Sequence, residues 1–143
     1  MGREAIILVA GMGTRLRPLT DTNHKCLTEV NGVPILLNAL KVLNKNKFSR
    51  VILVVGYLRE QIKEVIGDAY QNMKIEYAVN SIYSKTNTSY SLELGLEKIT
   101  GENEVYIFEG DVMFEEKLLE DLIQFPEENV TVLEKYSNML DGT

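Results

Sequence analysis

At 143 residues with 45% apolar side chains, the sequence has the length of one globular domain and enough apolar content to bury a core, which excludes a disordered chain. No apolar run reaches the length of a membrane span, and the opening MGREAIILVAG is too short for a secretory leader. A single cysteine, Cys26, beside a single histidine excludes an internal disulfide and a soft-metal cluster. The expectation is a cytoplasmic protein, in which any metal is held by oxygen and Mg²⁺ is the natural candidate. The net charge of −6 is uneven: the first 50 residues carry eight basic against three acidic side chains, and the remainder seven against eighteen. That asymmetry suits a small polyanion. A nucleic-acid groove would need a positive stripe interleaved with aromatics.

Taken in chain order, the apolar run at 5–10 reads as a buried strand. AGMGTRLRP, residues 10–18, follows it. Leu16 stands where a dinucleotide fingerprint needs its third glycine and where a P-loop needs its second, so neither motif is present. Gly11, Gly13, Thr14, Arg15 and Arg17 instead describe an extended anion-binding loop. Glycine lets backbone N–H groups approach oxygen, and guanidinium fits phosphate oxygens in pairs. Pro18 discourages a helix there. A plain strand-to-loop turn with surface arginines accounts for the same letters.

VNGV at 30–33 predicts a tight turn in a small hairpin. Pro34 suits a first helical position, with Ile35, Leu36, Ala39, Leu40 and Leu43 as one apolar stripe. A strand at 51–55 precedes a second helix with Leu58, Ile62, Val65 and Ile66 on its stripe, stopped by Gly67. IEYAV at 75–79 is a weaker strand, followed by a third helix with Leu92, Leu96 and Ile99, stopped by Gly101. VYIF at 105–108 reads as a buried strand, and Leu118, Leu119, Leu122 and Ile123 form a fourth stripe ended by Pro126.

Alternating helices and continuous apolar strands predict a mostly parallel sheet covered on both faces, with ligands beyond the carboxyl ends of its strands. That rule selects residues 10–25, 80–91 and 109–111. In the last, Asp111 with Glu109 could hold Mg²⁺ against a triphosphate, although an aspartate is also ordinary in any turn.

The stretch LVAGMGTRLRPLTDTNHKCLTEVNGVPIL resembles the opening of the nucleotidylyltransferases that join an NTP to a phosphorylated small molecule. The matching positions are Ala10, Gly11, Gly13, Thr14, Arg15, Leu16, Pro18, Lys25 and Pro34, and IFEGDVMF resembles that family's later glycine-aspartate metal motif. The resemblance implies a Rossmann-like three-layer α/β/α sandwich with a mostly parallel mixed sheet, of the nucleoside-diphosphosugar transferase type. Residues 1–143 would be a single nucleotide-binding, N-terminal part of it, apparently truncated, because members are considerably longer. It also implies the chemistry. An oxygen of the acceptor phosphate attacks the α-phosphorus of the NTP and pyrophosphate leaves.

Val9, Ala10, Gly11, Gly13 and Thr14 would then cradle the nucleotide. Arg15 would hold the β,γ-phosphates, Lys25 would sit on the α-phosphate, and Asp111 would carry Mg²⁺, these three being the catalytic set. NSIYSKTNTSYSLELGL, residues 80–96, resembles the branch that uses CTP and phosphocholine or aminoethylphosphonate. On that resemblance Asn80, Thr86, Asn87 and Ser89 contact base or ribose, while helix capping by Asn87, Thr88 or Ser89 would explain one of them. The expected partners are CTP and a small phosphorylated acceptor, without nucleic acid or membrane. Sugar-1-phosphate transfer is the second reading and a nucleotide-binding module without turnover the third. The oligomeric state is not legible.

Overall fold

The computed structural model describes residues 2–12, 22–109 and 116–125. Their elements run β1 (Arg3–Val9), β2 (Glu29–Val30), β3 (Val33–Pro34), α1 (Ile35–Lys45), β4 (Phe48–Val55), α2 (Arg59–Ile66), β5 (Ala69–Tyr70), β6 (Met73–Val79), α3 (Thr88–Leu96), β7 (Glu104–Glu109) and α4 (Glu116–Gln124). The chain divides into two units, residues 1–113 and 114–143, and α4 belongs to the second. In α4 Leu119 is buried, whereas Leu118, also expected on the apolar stripe, is exposed.

β1 and β4, with uninterrupted apolar centres, pair on both sides and are buried. VYIF of β7, expected to be buried, leaves Ile107 exposed, because among the described strands β7 pairs with β1 alone. β1 lies between β4 and β7, and β4 pairs in turn with β6, all in parallel. The short β5 adds antiparallel to β6, giving the order β5-β6-β4-β1-β7 and the mostly parallel mixed sheet expected. Parallel crossovers are right-handed, so the direction of travel along the sheet decides which face each helix covers. The steps β1 to β4 and β4 to β6 run one way, and the return from β6 to β7 runs the other. α3 accordingly packs on the face carrying Ile6, Ile52, Val54 and Ala78. α2 lies on the opposite face, where the Lys63 ammonium stands 5.4 Å from the Tyr77 ring centroid. The Tyr77 phenol donates to the Gly67 carbonyl at 2.6 Å, and burial first, then Asp68, pushes its pKa up to about 12.

The VNGV hairpin forms as expected, with Asn31 and Gly32 both at positive φ between β2 and β3. Pro34 is the cap before α1 and Ile35 its first residue, a shift of one position from the prediction. Two predicted helix stripes differ from the buried faces. In α2, Ile62 and Ile66 are buried but Val65 is exposed. In α3 the exposed residue is Leu96, and the buried face is Ser91 and Gly95. A Cβ on Gly95 would stand 2.8 Å from Ile6 Cγ2 and 3.0 Å from Val54 Cγ2. The helix therefore approaches the sheet along its smallest residues, which a hydrophobic periodicity does not reveal.

Opposite the carboxyl ends of the strands, one ion network crosses three of them. Arg50 of β4 donates to Glu4 Oε1 of β1 at 2.8 Å and from Nε to Glu76 Oε2 of β6 at 2.6 Å, and reaches the Lys98 carbonyl at 2.9 Å. Lys74 and Asn103 complete the shell around the two carboxylates. Burial opposes the Arg50 charge, but hydrogen bonds and charge from Glu4 and Glu76 outweigh it and raise its pKa. Hydrogen bonding from Arg50, then Lys74, holds the Glu76 carboxyl below its ordinary value.

Two outcomes follow for stability. Arg50→Met should cost about 3–5 kcal/mol in urea denaturation, because it leaves the buried Glu4 carboxylate without its cation. The contribution of Glu76 is complete above the ordinary carboxylate range and is lost as pH falls through its lowered value. Glu76→Gln should therefore be less stable than wild type at neutral pH, with the gap closing below about pH 4. A gap independent of pH would contradict the ionic role.

Candidate functional site

Side chains alternate along a strand, so the residues continuing β1, β4 and β6 on the α3 face are Ala10, Gly56 and Asn80. Beyond that end of the sheet lies a cleft of roughly 250 Å³. Leu8, Ala10 and Gly11 form its floor from the β1 side, and Glu109 closes it at the end of β7. Asn80, Tyr83, Thr86, Asn87 and Thr88 supply one wall, with Ser91 below them on α3, and Lys25 enters from a separate turn. The cleft sits where the strand order reverses, between β1, whose crossover to β4 covers one face, and β7, whose crossover from β6 covers the other, the position at which open α/β sheets hold ligands.

Three local devices shape it. Tyr57 N–H donates to the Ala10 carbonyl at 3.1 Å and Asn80 N–H to the Val55 carbonyl at 2.7 Å, tying the three strand ends together. A Cβ on Gly56 would lie 2.8 Å from Tyr83 Cβ and Cδ1 and 2.9 Å from the Asn80 carbonyl oxygen. Only glycine lets the 80–85 turn lie directly on the end of β4. Lys25 opens a 3-10 turn, Lys25–Leu27, capped by His24, whose Nδ1 accepts from Cys26 N–H at 3.1 Å. Its ammonium reaches the loop after β1, 3.9 Å from where a Cβ on Gly11 would stand.

Asn80 is buried and its carboxamide is engaged on both sides. Oδ1 accepts from Ile82 N–H at 3.1 Å, and Nδ2 donates to Thr86 Oγ1 at 2.9 Å and Ser91 Oγ at 3.0 Å. The Ile82 amide can only donate, which fixes the orientation of the group. Asn80 thus holds the 80–91 segment in shape while forming part of the wall. Asn87 caps α3, accepting from Tyr90 N–H at 3.2 Å, so the capping reading holds for it as well as its place in the cleft.

Among the expected site residues, Ala10, Gly11, Lys25, Asn80, Thr86 and Asn87 are brought together here. Two described ones are not. Val9 has the opposite strand parity and is buried on the other face of the sheet. Ser89 is exposed, because on a helix it lies two residues from both Asn87 and Ser91 and so faces away from them. Gly13, Thr14, Arg15 and Asp111 lie outside the described residues. Tyr83, Thr88, Ser91 and Leu8 line the cleft without having been singled out. Strand parity points to Leu8 once Ala10 is chosen, and Ser91 follows from Asn87 by one helical turn.

The cleft pairs one ammonium, Lys25, with one carboxylate, Glu109, among hydroxyl and amide groups. Such a set accepts an anionic ligand near Gly11 and a polar heterocycle or sugar along the 80–88 wall. Its donors are hard oxygens without thiol or imidazole, which fits Mg²⁺ in the usual company of one or two carboxylates and ligand phosphates. Among the described residues, no group of three or more His, Cys, Asp or Glu side chains gathers to form a protein-only metal cage.

A family model described as nucleotidyl transferase matches residues 4–137. The chain is 40% identical over 140 residues to the CMP-5'-(3-aminopropyl)phosphonate synthase of Streptomyces rubellomurinus, covering 98% of this chain and 22% of that protein. It is 33% identical to the bifunctional protein GlmU of Methanococcus vannielii, covering 94% of this chain and 30% of the relative. The structure of CTP:phosphocholine cytidylyltransferase from Streptococcus pneumoniae superimposes with a TM-score of 0.63 at 34% identity, covering 82% of this chain and 50% of that one. The chain thus spans half or less of the length of these relatives.

The hydrogen bonding of Asn80 gives a direct test. Asn80→Ala should lower stability by about 1–3 kcal/mol in thermal unfolding, and Asn80→Asp should fall in the same direction, since a carboxylate cannot donate to Thr86 or Ser91. Unchanged melting in both would mean that Asn80 does not hold the segment.

Proposed function

The chain belongs to the nucleotidyl transferase family, and on that premise we propose that it binds CTP in the cleft beyond β1, β6 and β7 and transfers the cytidylyl group to a small phosphorylated acceptor such as phosphocholine or aminoethylphosphonate. The observation that carries this reading is the meeting of Gly11, Lys25 and the Asn80–Thr88 wall at one sheet end. The cytidylyl chemistry in the names of two of the relatives supports CTP as the donor.

In the reaction an acceptor phosphate or phosphonate oxygen forms a bond to the α-phosphorus. The bond from that phosphorus to the bridging oxygen breaks, and pyrophosphate leaves with the electron pair. The attacking oxygen is already anionic, so no general base is required. What the site must supply is alignment of two mutually repelling anions and neutralisation of the charge between them. Gly11, with Gly13 and Thr14, brings backbone N–H groups to the triphosphate, and Arg15 binds its β,γ-oxygens. Lys25, already beside Gly11, neutralises the α-phosphate as charge develops. Thr86 and Asn87 present hydroxyl and amide groups to base or ribose. Asp111 and the cleft-lining Glu109 would hold Mg²⁺, which when bound would supply neutralisation of the triphosphate charge. We place the protein in the cytoplasm, where nucleoside triphosphates are available.

A sugar 1-phosphate acceptor is the alternative, favoured by the similarity to the D-glycero-alpha-D-manno-heptose 1-phosphate guanylyltransferase of Aneurinibacillus thermoaerophilus. The two readings separate by titration with CTP, UTP, dTTP and GTP, each with Mg²⁺. Preference for CTP is expected, and preference for any of the others would select the alternative. In the full-length protein, Lys25→Ala should slow pyrophosphate release roughly 10²- to 10³-fold, the usual cost of removing an electrostatic stabiliser. Near-normal turnover would remove Lys25 from the mechanism.

A further inference from the structure

We infer that Gln61 is a positioning residue for Lys25: its carboxamide clamps the backbone that delivers the lysine to the glycine loop. Gln61 lies in the first turn of α2, far in sequence from the turn it grips. Its Oε1 accepts from the His24 N–H at 2.8 Å, and its Nε2 donates to the Thr22 carbonyl. Acceptor and donor of one rigid amide thus hold two backbone groups within a span of three residues, immediately before Lys25. The clamp continues downstream. The His24 ring, buried, caps the turn by accepting from Cys26 N–H, and Cys26 is itself fully buried. Thr28 N–H then donates to the Lys25 carbonyl at 3.1 Å, and Ile35 N–H to the Thr28 carbonyl at 3.0 Å, locking the turn to the start of α1.

Lys25 therefore projects from backbone held on both sides, and the upstream hold comes from α2. A lysine side chain has four rotatable bonds, and its ammonium is a point charge whose effect depends on where the stem starts. The carboxamide also suits the task for a chemical reason. A neutral group that both donates and accepts satisfies an amide N–H and a carbonyl at once, and adds no charge beside a site meant for a polyanion. Neither Glu nor Lys at this position could do both in its ionised form.

This inference rests on the proposed role of Lys25 at the triphosphate, and its test separates the two. The affinity for CTP with Mg²⁺ is measured by calorimetry for wild type, Lys25→Ala, Gln61→Ala and the double variant. If Gln61 acts through Lys25, Gln61→Ala weakens binding roughly tenfold when lysine is present, and the double variant binds within about twofold of Lys25→Ala. Losses that multiply in the double variant, or no loss in Gln61→Ala, overturn the positioning role while leaving Lys25 in place. No loss in Lys25→Ala overturns the role of the lysine itself and the inference with it.

Should Gln61→Ala fail to fold, Gln61→Glu gives the same decision. A protonated carboxyl has one donor and one acceptor, like the amide, whereas the carboxylate has only acceptors. The affinity gap between Gln61→Glu and wild type should narrow as the pH is lowered from about 7 to about 4, through the carboxylate pKa. His24 is the titratable neighbour in both proteins. A gap that stays constant across that range overturns the inference.

Discussion

The handedness of the parallel crossovers is the constraint on which the rest of this structure depends. β1 sits between β4 and β7, and the chain reaches those neighbours from opposite directions. Right-handed connections must then cover opposite faces of the sheet, so the crossover from β1 to β4 and that from β6 to β7 lie on different sides and the strand order reverses at β1. The cleft at that reversal has Ala10 and Gly11 on one side and Glu109 on the other. Its side chains decide what it can hold.

Two close approaches make the cleft narrow enough to serve as a site. Gly95 brings α3 down onto Ile6 and Val54, which sets the height of Ser91 below the wall. Gly56 lets Tyr83 and the Asn80 carbonyl settle on the end of β4, and Asn80 then ties the wall to α3 through Ser91. From the other face of the sheet, α2 holds the turn bearing Lys25 through Gln61. The wall and the cation therefore come from elements on opposite faces and meet only at the strand ends. At the far edge, the Glu4–Arg50–Glu76 network ties β1, β4 and β6 together away from the cleft. Stability and function thus draw on different ends of the same strands.

The strands were legible because a fully buried parallel strand is apolar at every position, and Ile6, Ile52 and Val54 leave no other interpretation. The VNGV turn was equally plain, since few residues besides Asn and Gly tolerate consecutive positive φ values. α3 was harder: Leu92 and Ile99 pack against the core as expected, but its buried residues are a serine and a glycine, and Leu96 is exposed. Gly11, Lys25, Thr86 and Asn87, singled out by a motif and by the rule that ligands sit beyond strand ends, all line the cleft. Ser89 is exposed and does not line the cleft, because facing on a helix repeats every three or four residues. Val9, by strand parity, turns its side chain to the other face of the sheet. Gln61 gave no sequence signal at all. Its role lies in a pairing across 37 residues that only the folded chain brings together.

The most direct test of the site is a crystal structure of the protein with a non-hydrolysable CTP analogue and Mg²⁺. The triphosphate should lie against the Gly11 backbone with an oxygen in hydrogen-bond reach of Lys25 Nζ, and the cytidine along Thr86 and Asn87. A nucleotide bound elsewhere, or phosphates turned away from Lys25, would contradict the assignment of this cleft.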